Sequence, residues 1–540
     1  MERSLLHAPA LRNFICTVAF HRPMIRIVGG TIADGSGGTP VGNPGIAVSG
    51  GLLTVGKGAL KGRASIEIEA GRMIIAPGFI DAHSHSDIAV IANPRAENRI
   101  MQGITTEITG NCGFTPFPVT ALNRDVMRAE YLRSGISLTW SDLDGYAAAV
   151  ERRRPAINIA PLIGHGNLRA AAMGYSSKTP TGAQMKRMKM LLERNLRMGA
   201  FGLSSGLEYT PSGFADWREL SELCAVVGKF GRVYATHMRN EDGLLEESVK
   251  ESLKAVRGSK ARLEISHLKA TRKANWGKVI SVLGDLERRA GRGEKVMWDA
   301  YPYTASHTDL TIVLPKHIMD GGFASMLSAL SDRETRRRTK EEMESTRDDD
   351  DWRAIVVKDI TGPSVAQYSN MNVLDIALQL KVSPAEAVFR LLEGNGHDMA
   401  IIVHNMSPPD VDAVFSAPLT GIGSDSSVYT GGHPHPRAFG TFPRAFRRYV
   451  RELNYSSVQN MVRKASALTA DRFGLTERGY IRNGFFADVV IFDSSTIEDR
   501  STYDEPSMYP AGIEHVIVNG VLEVTGGAIT GKRGGVVLRA

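Results

Sequence analysis

The sequence predicts an α/β protein built on a (β/α)8 barrel, with a small β domain made from both chain ends and a large insertion between strands seven and eight. Three observations lead to this prediction. Short apolar runs alternate with longer helix-compatible stretches, which is typical of a parallel sheet. Eight such runs occur, and eight parallel strands close a barrel. Similar Gly-rich β segments stand at both ends of the chain, so a domain formed by the two ends would enclose the barrel.

Composition excludes several classes of protein. Hydrophobic residues make up 42% and charged residues 23% of the 540 residues, so the chain is not globally disordered. A net charge of +7 without a Lys/Arg-rich block argues against nucleic acid as a partner. No apolar stretch reaches the roughly 18 residues of a membrane helix, so no membrane partner is expected. Three scattered cysteines exclude a disulfide framework and favour a reducing, cytoplasmic location.

The two chain ends are expected to form the small β domain. Residues 1–23 are predicted to be a disordered extension, because MIRIVGGTIADGSG at Met24 reads like a domain start. Residues 24–70 contain the β-type runs MIRIVGG, GIAVSG and SIEIEA. Residues 475–540 contain ADVVIFD, EHVIVNG and GGVVLRA, which should pair with them.

Residues 71–474 are expected to form the barrel. The eight candidate strands are MIIAPGFID, GITTEITGN, INIAPLIGHG, GAFGLSSG, RVYATHMR, ARLEISHLK, KVMWDAYPY and LTGIGSD. Helices are predicted between them, most clearly in TGAQMKRMKMLLERNLRMG, where Thr181 is a cap and Gly199 a stop, and in DGLLEESVKESLKAV. Residues 308–415 are too long for a plain loop, so they are interpreted as a subdomain or lid beside the barrel mouth.

Candidate metal ligands stand at the predicted strand ends. In DAHSHSD, His83 and His85 share one face of the first strand, at the end where barrel active sites lie. His237 and His267 close the fifth and sixth strands, and Asp425 closes the eighth. Any one of these residues has an ordinary structural explanation. Their common position predicts a metal centre.

Cys112, after the second strand, is the sixth candidate. Many metal barrels bridge two ions with a lysine, but no lysine ends a strand in the first half of this barrel. A thiolate is a good zinc ligand. Cys112, His237 and His267 with one water would make a catalytic zinc site that keeps an open position. A second, weaker site is expected from His83, His85 and Asp425.

The motifs together resemble the N-acyl-D-amino-acid deacylases (D-aminoacylases) of the amidohydrolase superfamily, from about Met24 to Val537. The motifs on which this resemblance rests are PGFIDAHSHSD, TEITGNCGF, GHGNLR, GLSSGLEYTP, ATHMRNE, EISHLK and DSSVYTGGHPHPRAFGTFPR. The resemblance implies a TIM-like metal-dependent hydrolase barrel, a tight zinc at Cys112, His237 and His267, a weaker site at His83 and His85, and Asp425 as catalytic residue. The chain departs from the family's SDG at Ser426 and Ser427.

Substrate contacts are predicted next to the metal centre. Lys269 lies two residues beyond His267 on the same strand, and Arg437 offers a planar fork for a carboxylate, with a structural salt bridge as its alternative. The resemblance assigns both to the substrate α-carboxylate, with Tyr301 and Ser306 as polar neighbours. No Lys or Arg occurs from residue 304 to 314, which favours apolar substrates. His433 and His435 are interpreted as loop histidines, and His165, which ends a strand, either touches the site or has a hydrogen-bonded structural role.

The predicted reaction is zinc-dependent hydrolysis of the amide of an N-acyl-D-amino acid. Asp425 would accept a proton from water and return it to the leaving amine. A cyclic amidase or dipeptidase on the same barrel is the alternative among enzymes. A non-catalytic scaffold is the alternative outside them, but a scaffold should have lost ligands, and all six candidate groups are present.

Overall fold

Eight parallel strands form a barrel in the computed structural model, which describes residues 24–429 and 432–540. The predicted extension, residues 1–23, lies outside the described residues. Each barrel strand falls within one of the eight predicted runs, so that prediction is confirmed. The strands are Phe79–Asp81, Ile104–Thr109, Asn158–Pro161 continued by Ile163–Gly164, Gly202–Gly206, Val233–His237, Arg262–Ile265, Val296–Ala300 and Thr420–Ile422.

The first and eighth strands close the barrel. The Ala82 amide donates to the Ile422 carbonyl at 2.9 Å, and the Asp425 amide donates to the His83 carbonyl at 2.8 Å. The first strand is shorter than the run MIIAPGFID, because Ile74–Pro77 lies in a different sheet. Closure brings the carboxyl ends of all eight strands to one rim, where their terminal side chains meet.

Helices surround the barrel, and their ends carry the expected signals. Thr181 caps its helix as predicted: its hydroxyl accepts from the Gln184 amide, and the Gln184 side chain accepts from the Thr181 amide. Within the described residues, no helix is both long and apolar enough to span a bilayer. The barrel helices are Ala89–Ala92, Glu97–Ile100, Arg124–Arg133, Leu143–Arg152, His165–Met173, Gly182–Arg197, Trp217–Lys229, Leu245–Val256, Lys278–Gly291, Pro408–Ser416, Arg437–Ala445, Val458–Ala465 and Ala467–Phe473.

The two chain ends meet in one seven-stranded sheet. Ile74–Pro77 pairs antiparallel with Val489–Phe492, which joins the first part of the chain to the last. The strands of MIRIVGG, GIAVSG and SIEIEA do not pair with the C-terminal strands as predicted but form a separate four-stranded sheet with Leu52–Val55. The segment GGVVLRA also differs from the prediction. It adds no strand to the seven-stranded sheet, because the Ile159 amide bonds the Val536 carbonyl and holds the C-terminus against the third barrel strand. The seven strands of the larger sheet are Thr31–Ile32, Val41–Gly42, Ile74–Pro77, Val489–Phe492, Ile513–Val518, Val521–Thr525 and Ala528–Ile529, and the four-stranded sheet contains Ile25–Val28, Ile46–Ser49, Leu52–Val55 and Ile66–Glu69.

The insertion between strands seven and eight has a hydrophobic core of its own, built around buried side chains such as Trp352, Phe389 and Ile401. The helix Pro408–Ser416 packs on the barrel instead, so the part with a separate core ends near Val403. The insertion covers the rim of the barrel mouth. Its elements are the strands Ser306–Asp309, Ile355–Val357 and Ala400–Val403 and the helices Phe323–Ser331, Arg333–Ser345, Asp349–Ala354, Val373–Leu380 and Pro384–Asn395.

Candidate active site

A thiol and three imidazoles meet at the floor of the barrel mouth. The Cys112 Sγ lies 3.3 Å from Nε2 of His83, 3.7 Å from Nδ1 of His237 and 3.6 Å from Nε2 of His267. Each of these side chains ends a barrel strand or begins the loop after it, and each is at most 5% exposed. The four groups come from four different strands, so only barrel closure brings them together.

The distances from Cys112 Sγ to His237 and His267 are those of ligands to one zinc ion. Among the described residues, the ligand atoms that all lie within 4.8 Å of one another form two groups: His83, Cys112, His267 and Asp425, and His237, Glu241 and His267. Around tetrahedral zinc, a sulfur at ~2.3 Å and a nitrogen at ~2.05 Å lie about 3.6 Å apart. Burial would raise the pKa of the Cys112 thiol, but the charge of His83 and hydrogen bonds from His237 and His267 hold that pKa well below its usual value. A buried thiolate beside imidazoles is a donor set that suits zinc, so these residues fit the metal.

His83, His85 and Asp425 form a second group that touches the first. The Asp425 Oδ1 lies 3.1 Å from Nε2 of His85 and 3.6 Å from Nε2 of His83. Burial opposes the charge of Asp425, yet Arg437, His267 and the His85 hydrogen bond hold the pKa of this carboxyl well below its usual range. Asp425 therefore stays an ionised carboxylate, able to bind a cation or accept a proton.

The backbone at this floor is strained. Three residues have left-handed φ angles: +52° at Cys112, +36° at His267 and +49° at Asp425. Such conformations cost residues with a Cβ on the order of 1–3 kcal/mol each and persist only where the surroundings impose them. The strain turns each side chain toward the centre of the mouth at the point where its strand stops.

Ser426 and Ser427, where the chain departs from the family pattern, hold His85 in place. The His85 amide donates to the Ser426 carbonyl at 2.8 Å, and the Ser427 hydroxyl donates to the His85 carbonyl at 3.0 Å. The Ser426 contact is made by its backbone and needs no particular side chain, whereas the Ser427 contact is made by its hydroxyl.

Carboxylates that the sequence reasoning missed orient the histidines. Glu241 accepts from Nδ1 of His267 at 3.0 Å, and Glu208 lies 3.1 Å from Nε2 of His237. Asp299 lies 3.4 Å from Nδ1 of His83. Such outer carboxylates set the tautomer and the direction of a metal-binding imidazole. Two of the three stand in motifs of the sequence: Glu241 closes ATHMRNE, four residues after His237, and Glu208 lies in GLSSGLEYTP.

We expect Glu241→Gln to weaken zinc binding by roughly 10- to 100-fold, the usual effect of removing an outer partner of a metal ligand. The amide cannot accept the His267 proton as a carboxylate does. Competition with a chromogenic chelator would measure the change. Glu246→Gln, an exposed position on the helix Leu245–Val256, is the matched control and should bind zinc like the wild type. Equal zinc affinity in both variants would contradict the orienting role.

The predicted substrate residues divide into two pairs. Lys269 and Ser306 line the cavity above the floor, but the Lys269 ammonium is already paired with Glu241 at 2.7 Å. Burial opposes the positive charge, yet the Glu241 carboxylate raises the pKa of Lys269. Arg437 and Tyr301 are almost fully buried. The Arg437 guanidinium stacks over the Tyr301 ring and donates to Asp425 Oδ2 at 2.9 Å. The structure therefore gives Arg437 the salt bridge that was its alternative interpretation.

His165, His433 and His435 lie apart from the cluster at the floor. His165 is buried between the Ser212 hydroxyl and the Glu219 carboxylate, each at 2.8 Å. His435 accepts the Arg437 amide at 3.0 Å, and His433 is exposed. These positions agree with the structural and loop interpretations of the sequence.

The cavity above the floor has a volume of about 150 Å³. The barrel and the insertion both line it. The absence of Lys and Arg from residues 304–314 does not make it free of cations, because Arg272 and Arg347 reach it from other segments. The inference of apolar substrates from that segment alone therefore lacks a basis in the folded protein.

Comparison with known proteins shows the family of the chain. The family model described as "Amidohydrolase family" matches residues 67–523. An N-acyl-D-glutamate deacylase of Alcaligenes xylosoxydans xylosoxydans is 33% identical over 495 residues, which is 92% of this chain and 92% of that protein.

Two solved structures are similar along nearly the whole chain. N-acyl-D-glutamate deacylase of Bordetella bronchiseptica, complexed with zinc and a phosphonate mimic of the tetrahedral intermediate, is 32% identical with a TM-score of 0.81, covering 96% of this chain and 100% of that one. The second structure is a D-aminoacylase with a binuclear metal centre, for which activation by one metal and attenuation by a second are described. It is 29% identical with a TM-score of 0.80, and the match covers 96% of this chain and 99% of that one. The match to the family model spans most of the chain, so the protein belongs to the amidohydrolase family.

Proposed function

We propose that this protein is a zinc-dependent hydrolase of N-acyl-D-amino acids that releases a carboxylic acid and a free D-amino acid. The observation that carries the proposal is the buried cluster of Cys112, His237 and His267 with the ionised Asp425 beside it, at the floor of a cavity. Two of the proteins that match nearly the whole chain are N-acyl-D-glutamate deacylases, and a third is a D-aminoacylase. A scaffold without activity would not be expected to retain the whole ligand set.

Zinc held by Cys112, His237 and His267 would supply a Lewis acid that polarises the amide carbonyl and acidifies water. Asp425 accepts the proton of the attacking water, because its carboxylate is ionised and reaches the cavity. It then returns this proton to the amide nitrogen, which must be protonated before the amine leaves. Arg437 fixes the rotation of the Asp425 carboxylate through Oδ2 and leaves Oδ1 toward His85.

The proposal includes one tight zinc site and a second, weaker site at His83, His85 and Asp425. Two observations support weaker binding at the second site. Its donor set contains no thiolate of its own, and the His85 side chain is 32% exposed. We also propose a cytoplasmic location, since Cys112 must stay reduced to bind a metal. A cyclic amidase or dipeptidase remains the alternative reaction, and Cys112 in place of a bridging lysine disfavours it.

Hydrolysis of paired N-acetyl-D- and N-acetyl-L-amino acids, with metal content measured on the same sample, tests the proposal. We expect turnover of the D compounds, weak or no turnover of the L compounds, and at least one zinc per chain. Equal rates on both enantiomers, or turnover that persists after complete metal removal, would contradict it.

Lys269, Arg437, Tyr301 and Ser306 are proposed to surround the substrate α-carboxylate. If the amide carbonyl and the α-carboxylate are both held, one enantiomer alone can direct its side chain into free space. We expect Arg437→Lys to reduce the D/L ratio of kcat/KM by about tenfold or more. The point charge of lysine replaces the planar fork of arginine, so the α-carboxylate of the substrate can rotate.

Paired assays on N-acetyl-D- and N-acetyl-L-leucine measure this ratio. Arg444→Lys is the matched control, since Arg444 lies on the same helix but pairs with Asp499 and stacks on Tyr303. An unchanged ratio in Arg437→Lys would remove Arg437 from substrate recognition and leave it only its contact with Asp425.

A further inference from the structure

Arg347 is a cation on the cavity wall without a carboxylate partner. It lies between the helices Arg333–Ser345 and Asp349–Ala354 of the insertion, half-buried, with its guanidinium over the Trp352 ring at 5.3 Å. Its hydrogen bond from Nη1 to the Thr346 hydroxyl is long, at 3.5 Å. Among residues 24–429 and 432–540, no acidic group lies within ion-pairing distance of it.

The neighbouring charges do not neutralise Arg347. Asp351 is engaged by Arg272, whose Nη2 lies 2.5 Å from its carboxylate and 2.7 Å from the Thr346 carbonyl. Glu208 is engaged by His237. Asp242 is the remaining acid nearby, and it lies 3.8 Å from Arg272. Burial and the charge of Arg272 lower the pKa of Arg347, but a guanidinium stays charged at neutral pH.

The other residues of the cavity wall beside Arg347 favour binding of an anion by its guanidinium. The apolar side chains that the insertion presents to the same cavity exclude water on one side: Ile312, Val313, Ala354, Ile355, Ile401 and Val403. A charge beside such a surface interacts more strongly than one in bulk water. The planar fork of arginine matches a carboxylate in particular. Trp352 holds this fork by stacking and leaves its N–H edge free to donate.

We propose that Arg347 binds a second carboxylate of the substrate, distinct from the α-carboxylate. This inference rests on the proposed function. The second carboxylate can belong to the side chain of the D-amino acid or to the end of a dicarboxylic acyl group. In either case the insertion, and not the barrel, selects acidic substrates. The pair of Arg272 and Asp351 joins the insertion to the barrel rim and thereby sets the position of Arg347.

Two pairs of substrates that differ by one carboxylate test the inference and separate the two sources. N-acetyl-D-glutamate is compared with N-acetyl-D-glutamine, and N-succinyl-D-leucine with its terminal amide. In Arg347→Met, the acid/amide ratio of kcat/KM should fall by about 10- to 100-fold in one pair, as expected for the loss of a charged hydrogen bond. Arg347→Lys should recover part of this ratio. Arg333→Met, which removes an exposed arginine of the same insertion, should leave both ratios as in the wild type.

The outcomes distinguish this inference from the proposed function. A fall in the first pair alone identifies the side chain as the source of the carboxylate, and a fall in the second pair alone identifies the acyl group. Unchanged ratios in both pairs, with turnover retained, would overturn the role of Arg347 and leave the deacylase proposal standing. A wild-type enzyme that hydrolyses none of the four compounds nor N-acetyl-D-leucine would overturn the proposed function itself.

Discussion

Asp425→Asn is expected to lower kcat by about 10²- to 10⁴-fold, the usual contribution of a general acid–base group. The amide has nearly the size of the carboxylate and can keep the contact with Arg437, but it can neither accept the proton of water nor return it to the amine. Because Cys112, His237 and His267 are unchanged, the variant should retain the tight zinc. Steady-state kinetics on an N-acetyl-D-amino acid and metal analysis of the same preparation measure both effects.

Asp412→Asn provides the matched control for this substitution. Asp412 also pairs with an arginine, Arg448, at 2.6 Å, but it lies on a barrel helix away from the cavity. It should keep nearly full activity. If Asp425→Asn retained more than about a tenth of the wild-type kcat, a general-base role would be excluded, because such groups contribute at least ~10²-fold.

Cys112→Ala is expected to remove the tight zinc and nearly all activity while the barrel stays folded. The thiolate is proposed as a ligand itself, so the loss of metal affinity should exceed the roughly 10- to 100-fold loss caused by removing an outer partner. The substitution adds no volume at a position that already accommodates a side chain with φ of +52°. Zinc content after dialysis, activity and circular dichroism are the measurements.

Cys224→Ala separates the ligand role from the loss of a buried thiol. Cys224 is fully buried in the hydrophobic core, and burial raises the pKa of its thiol, so it is a packing residue and no ligand. This control should lose some stability but keep its zinc. A Cys112→Ala protein with full zinc and normal turnover would show that Cys112 is only a small buried side chain.

Much of the fold could be predicted because its signals are local. A strand such as Val233–His237 begins with apolar residues and is buried on both faces, and the alternation of such runs with helical stretches indicates a parallel sheet. The helix Gly182–Arg197 was bounded by its own cap and stop residues. The run GGVVLRA was assigned to the wrong neighbour, because a short β-type segment does not specify its partner, and the third barrel strand is the one that reaches it.

The cluster of histidines, cysteine and aspartate was predictable because each of these residues stands at the end of a strand or just after it. The missed residues are recognisable only from the histidine that each one contacts in the folded protein. Asp299 ends the seventh strand beneath His83, and Glu241 lies in a loop that is recognisable only once His267 is placed beside it. Arg437 could be given two partners from the sequence, and only the folded loop brings it to Asp425.

The sequence by itself determined the barrel, the terminal β domain and the set of histidines, cysteine and aspartate at one rim, since periodicity and strand ends are properties of neighbouring residues. The tertiary structure decided which charged groups form ion pairs. Lys269 meets Glu241, Arg437 meets Asp425, and Arg272 takes Asp351 and so leaves Arg347 without a carboxylate. Electrostatic pairing depends on distances between segments far apart in the chain, and these distances exist only after the barrel has closed and the insertion has packed on its mouth.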